Sequence, residues 1–136
     1  MRRSAVIPPM QILKQCLAIG FAGALGALAR FMVGSACKYV FATSFPVGTL
    51  LINLSGSFIL GLFLGLAGDR MAVGETMRLA VAVGFVGAYT TFSTFMYETN
   101  ALLESGQVYK AATNLILSLV VGLAVVRLGA ICARHI

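Results

Sequence analysis

Between Gly84 and Met96 the chain reads Gly-Phe-Val-Gly-Ala-Tyr-Thr-Thr-Phe-Ser-Thr-Phe-Met. Two glycines, the hydroxyls of Thr90, Thr91, Ser93 and Thr94, and the rings of Phe92 and Phe95 fall within an uncharged run, Leu79 to Tyr97, able to cross a bilayer. Lipid offers the backbone no hydrogen-bond partner. Irregular backbone survives at that depth only where protein or a water-filled cavity covers it. A glycine-interrupted apolar segment of this kind marks a substrate or ion site in a membrane protein.

Polar residues recur at helical spacing elsewhere. Thr49, Asn53, Ser57, Gly61 and Gly65 stand four apart, and Gly61-Leu-Phe-Leu-Gly65 is a literal GxxxG. A packing seam with Asn53 as interhelical glue explains that row equally well, so both readings stay open here. Asn114, Ser118 and Gly122 repeat the pattern, and Gly23, Ala27, Arg30 and Gly34 line one side of an earlier stretch. Amides and hydroxyls donate hydrogen bonds. A cation path favours carboxylate rings or carbonyls, and a proton-coupled path needs a carboxylate or histidine in mid-membrane. Only Glu98, near the end of its span, is an intramembrane carboxylate candidate. Donors without acids, and arginines at the mouths, suit a small anion. Phe92 and Phe95, three apart, share a face. Packing accounts for them, but ring edges also carry partial positive charge that attracts an anion.

Composition narrows the class. The chain is 60% hydrophobic and 10% charged, with mean hydropathy +0.97. Soluble domains carry roughly 25% charged residues, so this is an integral membrane protein. The net charge of +6 comes from scattered residues that flank lipid headgroups, which argues against nucleic acid as a partner. Cys16, Cys37 and Cys132 lie far apart, and His135 is the single histidine, so neither a disulfide framework nor a zinc site is expected. Arg2, Arg3 and Lys14 before an apolar stretch, with Ala27-Leu-Ala29, resemble a signal peptide. Arg30 directly after it, and Gly20, Gly23 and Gly26, favour a packed helix instead.

Charges divide the chain into four spans, expected at residues 12–36, 46–68, 75–104 and 108–133, in one domain covering 1–136. Phe45-Pro46 starts the second helix. Gly68-Asp69 and Glu104-Ser-Gly106 are stop signals. Both termini then lie on one side, with Arg2, Arg3, Lys14, Arg70, Arg78, Arg127 and Arg134, against Arg30, Lys38 and Lys110 on the other. Taken alone, that excess says termini inside; without Arg2, Arg3 and the intramembrane Arg30 and Arg127 it falls to four against two, a weak bias.

Three segments together resemble the bacterial Fluc (CrcB) fluoride channels. They are Gly23-Ala-Leu-Gly-Ala-Leu-Ala-Arg30-Phe31, Pro46-Val-Gly-Thr49-Leu-Leu-Ile-Asn53-Leu-Ser-Gly56-Ser57-Phe58, and Gly84-x-x-Gly87-x-x-Thr90-Thr91-Phe92-Ser93-Thr94-Phe95. The resemblance runs through all four spans in order, and in the fourth rests on the Asn114/Ser118 spacing. It implies an all-α membrane protein with four transmembrane helices per subunit and helix 3 broken in mid-membrane. It also implies an antiparallel, dual-topology homodimer enclosing two pores. Asn53, Phe92, Phe95, Ser93, Thr94, Asn114 and Ser118 match pore positions, and Arg30 matches a vestibule arginine. The carbonyls of Gly87 and Thr90 match those holding a structural sodium ion at the dimer interface. Gly122 stands where some relatives keep a hydroxyl.

The expected function is passive fluoride export across the bacterial plasma membrane, giving fluoride resistance, with no enzymatic activity. The first rival is a small four-helix proton-coupled multidrug exporter, which needs a glutamate early in helix 1. None lies between Gln15 and Ala29. The second is a non-transporting membrane subunit, which explains the glycines but not Thr90-Thr-Phe-Ser-Thr-Phe95.

Overall fold

A computed structural model describes residues 8–69 and 73–136. Arg2, Arg3 and Arg70, which figure in the charge asymmetry, lie outside the described residues. Four helices are long and apolar enough to cross a membrane: α1 (Pro9–Val40), α2 (Val47–Asp69), α3 (Glu75–Glu104) and α4 (Val108–His135). The expected spans are recovered, with α1 longer at both ends.

Local chemistry sets these boundaries. Pro9 opens α1, where its missing N–H is no loss, and Lys38 occupies the last turn, where a cation suits the free carbonyls. The α3–α4 turn is a Schellman motif: Gln107 N–H donates to Leu102 O at 2.8 Å and Gly106 N–H to Leu103 O at 3.0 Å. Gly106 supplies the left-handed residue, with φ 73°.

Packing pairs α1 with the first half of α3, and α2 with the second half of α4. Both contacts are backbone-close. A Cβ at Gly26 would run into the Phe85 carbonyl, and one at Gly61 into the Val126 carbonyl. The expected GxxxG seam thus faces α4. Asn53 and Ser57, higher on the same row, face α3. A row of residues four apart is inclined to the helix axis, so its two ends meet different neighbours.

Little apolar bulk points inward. Ile52, Val86, Tyr89, Phe95 and Leu102 are buried, whereas Leu17, Phe21, Leu28, Phe31 and Leu123 are exposed. A chain in water would invert that balance, but lipid is as apolar as a core.

Neither α3 nor α4 is uniform. Ala80–Val86 and Leu117–Val121 are π-helical, a widened winding frequent at functional sites. Gly87 keeps helical dihedrals (φ −62°, ψ −36°). The residues that leave the helix are Thr90 (φ −79°, ψ 159°) and Thr91 (φ −150°, ψ 119°). The departure from helix therefore falls at the threonine pair, three residues beyond the glycine that the sequence points to.

Candidate functional site

The extended pair is held by one side chain. Thr91 N–H donates to Asn53 Oδ1 at 2.8 Å, and Asn53 Nδ2 donates to Thr91 O at 3.0 Å. The Asn53 amide thus replaces a backbone partner on both sides of Thr91, a buried residue. Helix resumes at Phe92, where Thr91 acts as N-cap: its Oγ1 accepts from Thr94 N–H at 3.3 Å and donates to Thr94 Oγ1 at 3.0 Å. Nearby, Thr90 Oγ1 donates to Val86 O at 2.9 Å, and the Ser55 and Tyr89 hydroxyls lie 2.9 Å apart.

These bonds redirect two amides. In a continuous helix, residues 91 and 94 would donate to the carbonyls of Gly87 and Thr90. Here Thr91 N–H goes to Asn53 and Thr94 N–H to the Thr91 hydroxyl. The Gly87 and Thr90 carbonyls are left without their helical donors. Gly87 is exposed on the chain's surface. Beside the pair lies an open pocket of about 260 Å³, lined by Asn53, Ser57, Val86, Thr90, Thr91 and Phe92 among others.

Phe92 and Phe95 touch, with ring centroids 6.0 Å apart and planes tilted by 55°. Their environments differ: Phe92 is 73% exposed and Phe95 4%. Ser93 and Thr94 are exposed alongside Phe92. The expected shared face is therefore an edge, with one ring inside and one outside.

A second polar cluster sits behind Phe95. Thr99 Oγ1 donates to Phe95 O at 2.7 Å and accepts from Asn114 Nδ2 at 2.9 Å. Asn114 is 1% exposed. Its Oδ1 and the Ser118 Oγ are buried without a protein partner, as is Glu98 Oε2. Buried polar atoms are nearly always paired, so each such orphan calls for a ligand or water.

At one end of the bundle, Lys38, Ser44, Thr49, Glu98 and Gln107 help line a pocket of about 340 Å³. Lys110 Nζ donates to Ser44 Oγ at 2.6 Å and to Gln107 Oε1 at 2.7 Å. Arg30, the expected vestibule residue, is half-buried and lines neither pocket.

The structure thus gathers Asn53, Thr90 and Phe92 at one pocket, with Thr94 bonded to Thr91 there, and Asn114 with Phe95 through Thr99. Sequence reasoning singled out neither Thr91 as the partner of Asn53 nor Thr99 as the link to Asn114. Thr99 carries a signal only in retrospect, one turn after Phe95. Among the described residues, no group of three or more His, Cys, Asp or Glu could hold a metal ion.

Residues 17–130 match the family described as CrcB-like protein, Camphor Resistance (CrcB). The chain is similar to several curated proteins named fluoride-specific ion channel FluC. One from Methylococcus capsulatus is 50% identical over 119 residues, 88% of this chain and 52% of that protein. Against it the chain spans about half the relative's length. One from Citrifermentans bemidjiense is 41% identical over 122 residues, covering 90% of this chain and 98% of the relative. One from Hydrogenovibrio crunogenus is 44% identical over 115 residues, covering 85% and 87%.

Proposed function

The chain belongs to the CrcB-like family, and we propose that it is a fluoride-specific ion channel passing fluoride out of the cytoplasm, passively, across the bacterial plasma membrane. It is a multi-pass membrane protein and not an enzyme. One observation carries the mechanism: the Asn53–Thr91 pairing opens α3 amid hydrogen-bond donors. Asn53 Nδ2 carries two N–H groups and spends one on Thr91, so the other can meet an anion in the adjacent pocket. Phe92 and Phe95 offer ring edges, and Ser93, Thr94, Asn114 and Ser118 extend the polar track. Lys38 and Lys110 supply positive charge at one mouth, with Arg30 further along α1.

The extended pair serves as the mid-membrane break of helix 3. In a single chain it would leave Gly87, Phe92, Ser93 and Thr94 against lipid, an unfavourable setting for open carbonyls and hydroxyls. A second copy covers that surface. An antiparallel, dual-topology homodimer would bring the two breaks together across a two-fold axis. The residues fit a structural sodium ion there, since the Gly87 and Thr90 carbonyls have lost their helical donors and such oxygens suit a hard cation. When bound, that ion supplies positive charge which offsets the cost of holding anions nearby. The chain's own part is to hold those carbonyls outward, through Asn53 and the Thr91 cap.

Purified protein in liposomes tests the reading. Fluoride efflux down its gradient, without a proton gradient and without comparable chloride flux, is expected. Proton-driven transport would favour the exporter, and no flux would favour a non-transporting subunit. For orientation, two copies fused through an extra membrane-crossing helix should conduct. If only a direct, same-orientation fusion conducts, the antiparallel arrangement is wrong.

A further inference from the structure

Deepening the fluoride-channel reading on which it rests, we propose that Thr99 is a positioning residue: it locks the Asn114 amide, withholding one of its two N–H groups from fluoride and leaving its carbonyl oxygen to be bridged to the ion by water. The argument is directional. Thr99 Oγ1 lies 2.7 Å from the Phe95 carbonyl, which can only accept, so the hydroxyl proton is committed there. Thr99 can then only accept from Asn114, and the atom 2.9 Å away must be Nδ2. This settles the amide orientation, an ambiguity ordinarily left to the surrounding network. The unpartnered end is therefore Oδ1, a pure acceptor, in a residue 1% exposed. A bare anion does not pair with a carbonyl oxygen. The Ser118 hydroxyl, one helical turn away and equally orphaned, can donate to the anion. A water donating to Oδ1 and to fluoride completes the arrangement.

The lock keeps the ion from binding too well. Conduction needs sites weak enough to leave. With Thr99→Val the withheld N–H loses its acceptor inside the protein, and both N–H groups of Asn114 can then turn to fluoride. Half-saturating fluoride and maximal flux should then both fall by about tenfold, the factor carried by roughly one charge-assisted hydrogen bond. Thr99→Ser, which keeps the hydroxyl, should restore both. In an Asn114→Leu background Thr99→Val should change neither. A maximal rate lowered at unchanged half-saturation, or an equal effect without Asn114, would mean that Thr99 only supports folding, and the proposal fails. A transport-independent arm is hydrogen exchange of the Asn114 side-chain NH2, followed by NMR without fluoride. One protected proton is expected in the native chain and none in Thr99→Val. Equal protection in both overturns the lock even if fluoride flux behaves as expected. Wild-type protein that shows the protected proton but carries no fluoride would instead sink the channel reading.

Discussion

Two asparagines, each bonded to a threonine of α3, do different work. Asn53 uses both ends of its amide on the backbone of Thr91, at the lip of an open pocket. Asn114 uses one end, on the Thr99 side chain, and leaves its oxygen unpaired in a nearly sealed position. Asn53 makes a non-helical backbone tolerable inside a membrane span, with one N–H in reserve. Asn114 is held by a helix already complete without it. The difference teaches that an intramembrane amide cannot be assigned from its type and spacing alone. Its role depends on whether it substitutes for a missing backbone partner.

The widest gap between the two sites should come from charge. Asn53→Asp puts a carboxylate on the proposed anion path and removes the donor to Thr91 O. Two like charges about 4 Å apart repel by about 4 kcal/mol at an effective dielectric of 20, roughly a thousandfold in rate. Fluoride efflux should fall to background while a dimer still elutes on size exclusion. Normal flux from that variant would remove Asn53 from the pore.

Stability should separate the pair next. Asn53→Leu abandons both backbone groups of Thr91, at about 1–3 kcal/mol each. Asn114→Leu removes one bond and also an orphaned oxygen, so its net effect should stay within about 1 kcal/mol. Denaturant unfolding in detergent micelles compares them directly. Equal losses would erase the distinction. Asn114→Leu should nevertheless slow fluoride flux about tenfold, a single lost hydrogen bond to the ion or its water.

The phenylalanines sharpen the same contrast between inside and outside. Phe95→Ile should cost about 1–3 kcal/mol, because the ring is buried. Phe92→Ile should stay within about 0.5 kcal/mol in a single chain, as its ring is mostly exposed. Both should lower flux, since neither aliphatic replacement has a positive ring edge. A drop with Phe95→Ile alone would confine the pathway to the inner ring.

The smallest effect concerns the cation. Replacing sodium by a large organic cation during purification should lower the protein's melting temperature by a few degrees, the shift that roughly 1 kcal/mol produces in a domain of this size. An unchanged melting temperature would argue against a structural ion at Gly87 and Thr90.

Much of this was legible from residue types. Uncharged run lengths gave the spans, because bilayer thickness dictates helix length. Pro46 and Gly106 marked boundaries, because their backbone restrictions act locally. Period four gave the Asn53 and Asn114 rows, but not what they face. Gly87 was the expected point of departure, because glycine is the usual helix weakener. The chain departs at Thr90–Thr91 instead, where a side chain from another helix offers the backbone a better bond.

By itself the sequence determined membrane residence, the helix lengths, and a stock of donors with scarcely an acid, because these follow from transfer energies and side-chain chemistry that each residue carries with it. Only the tertiary structure decided that Asn53 would clamp Thr91, that Thr99 would orient Asn114, and that Phe95 would turn inward while Phe92 stayed out. Those outcomes depend on the rotation and depth of one helix against another, set by backbone contacts such as Gly61 against Val126 and Gly26 against Phe85. A hydrogen bond is sensitive to tenths of an ångström and tens of degrees, whereas helical periodicity fixes only a face.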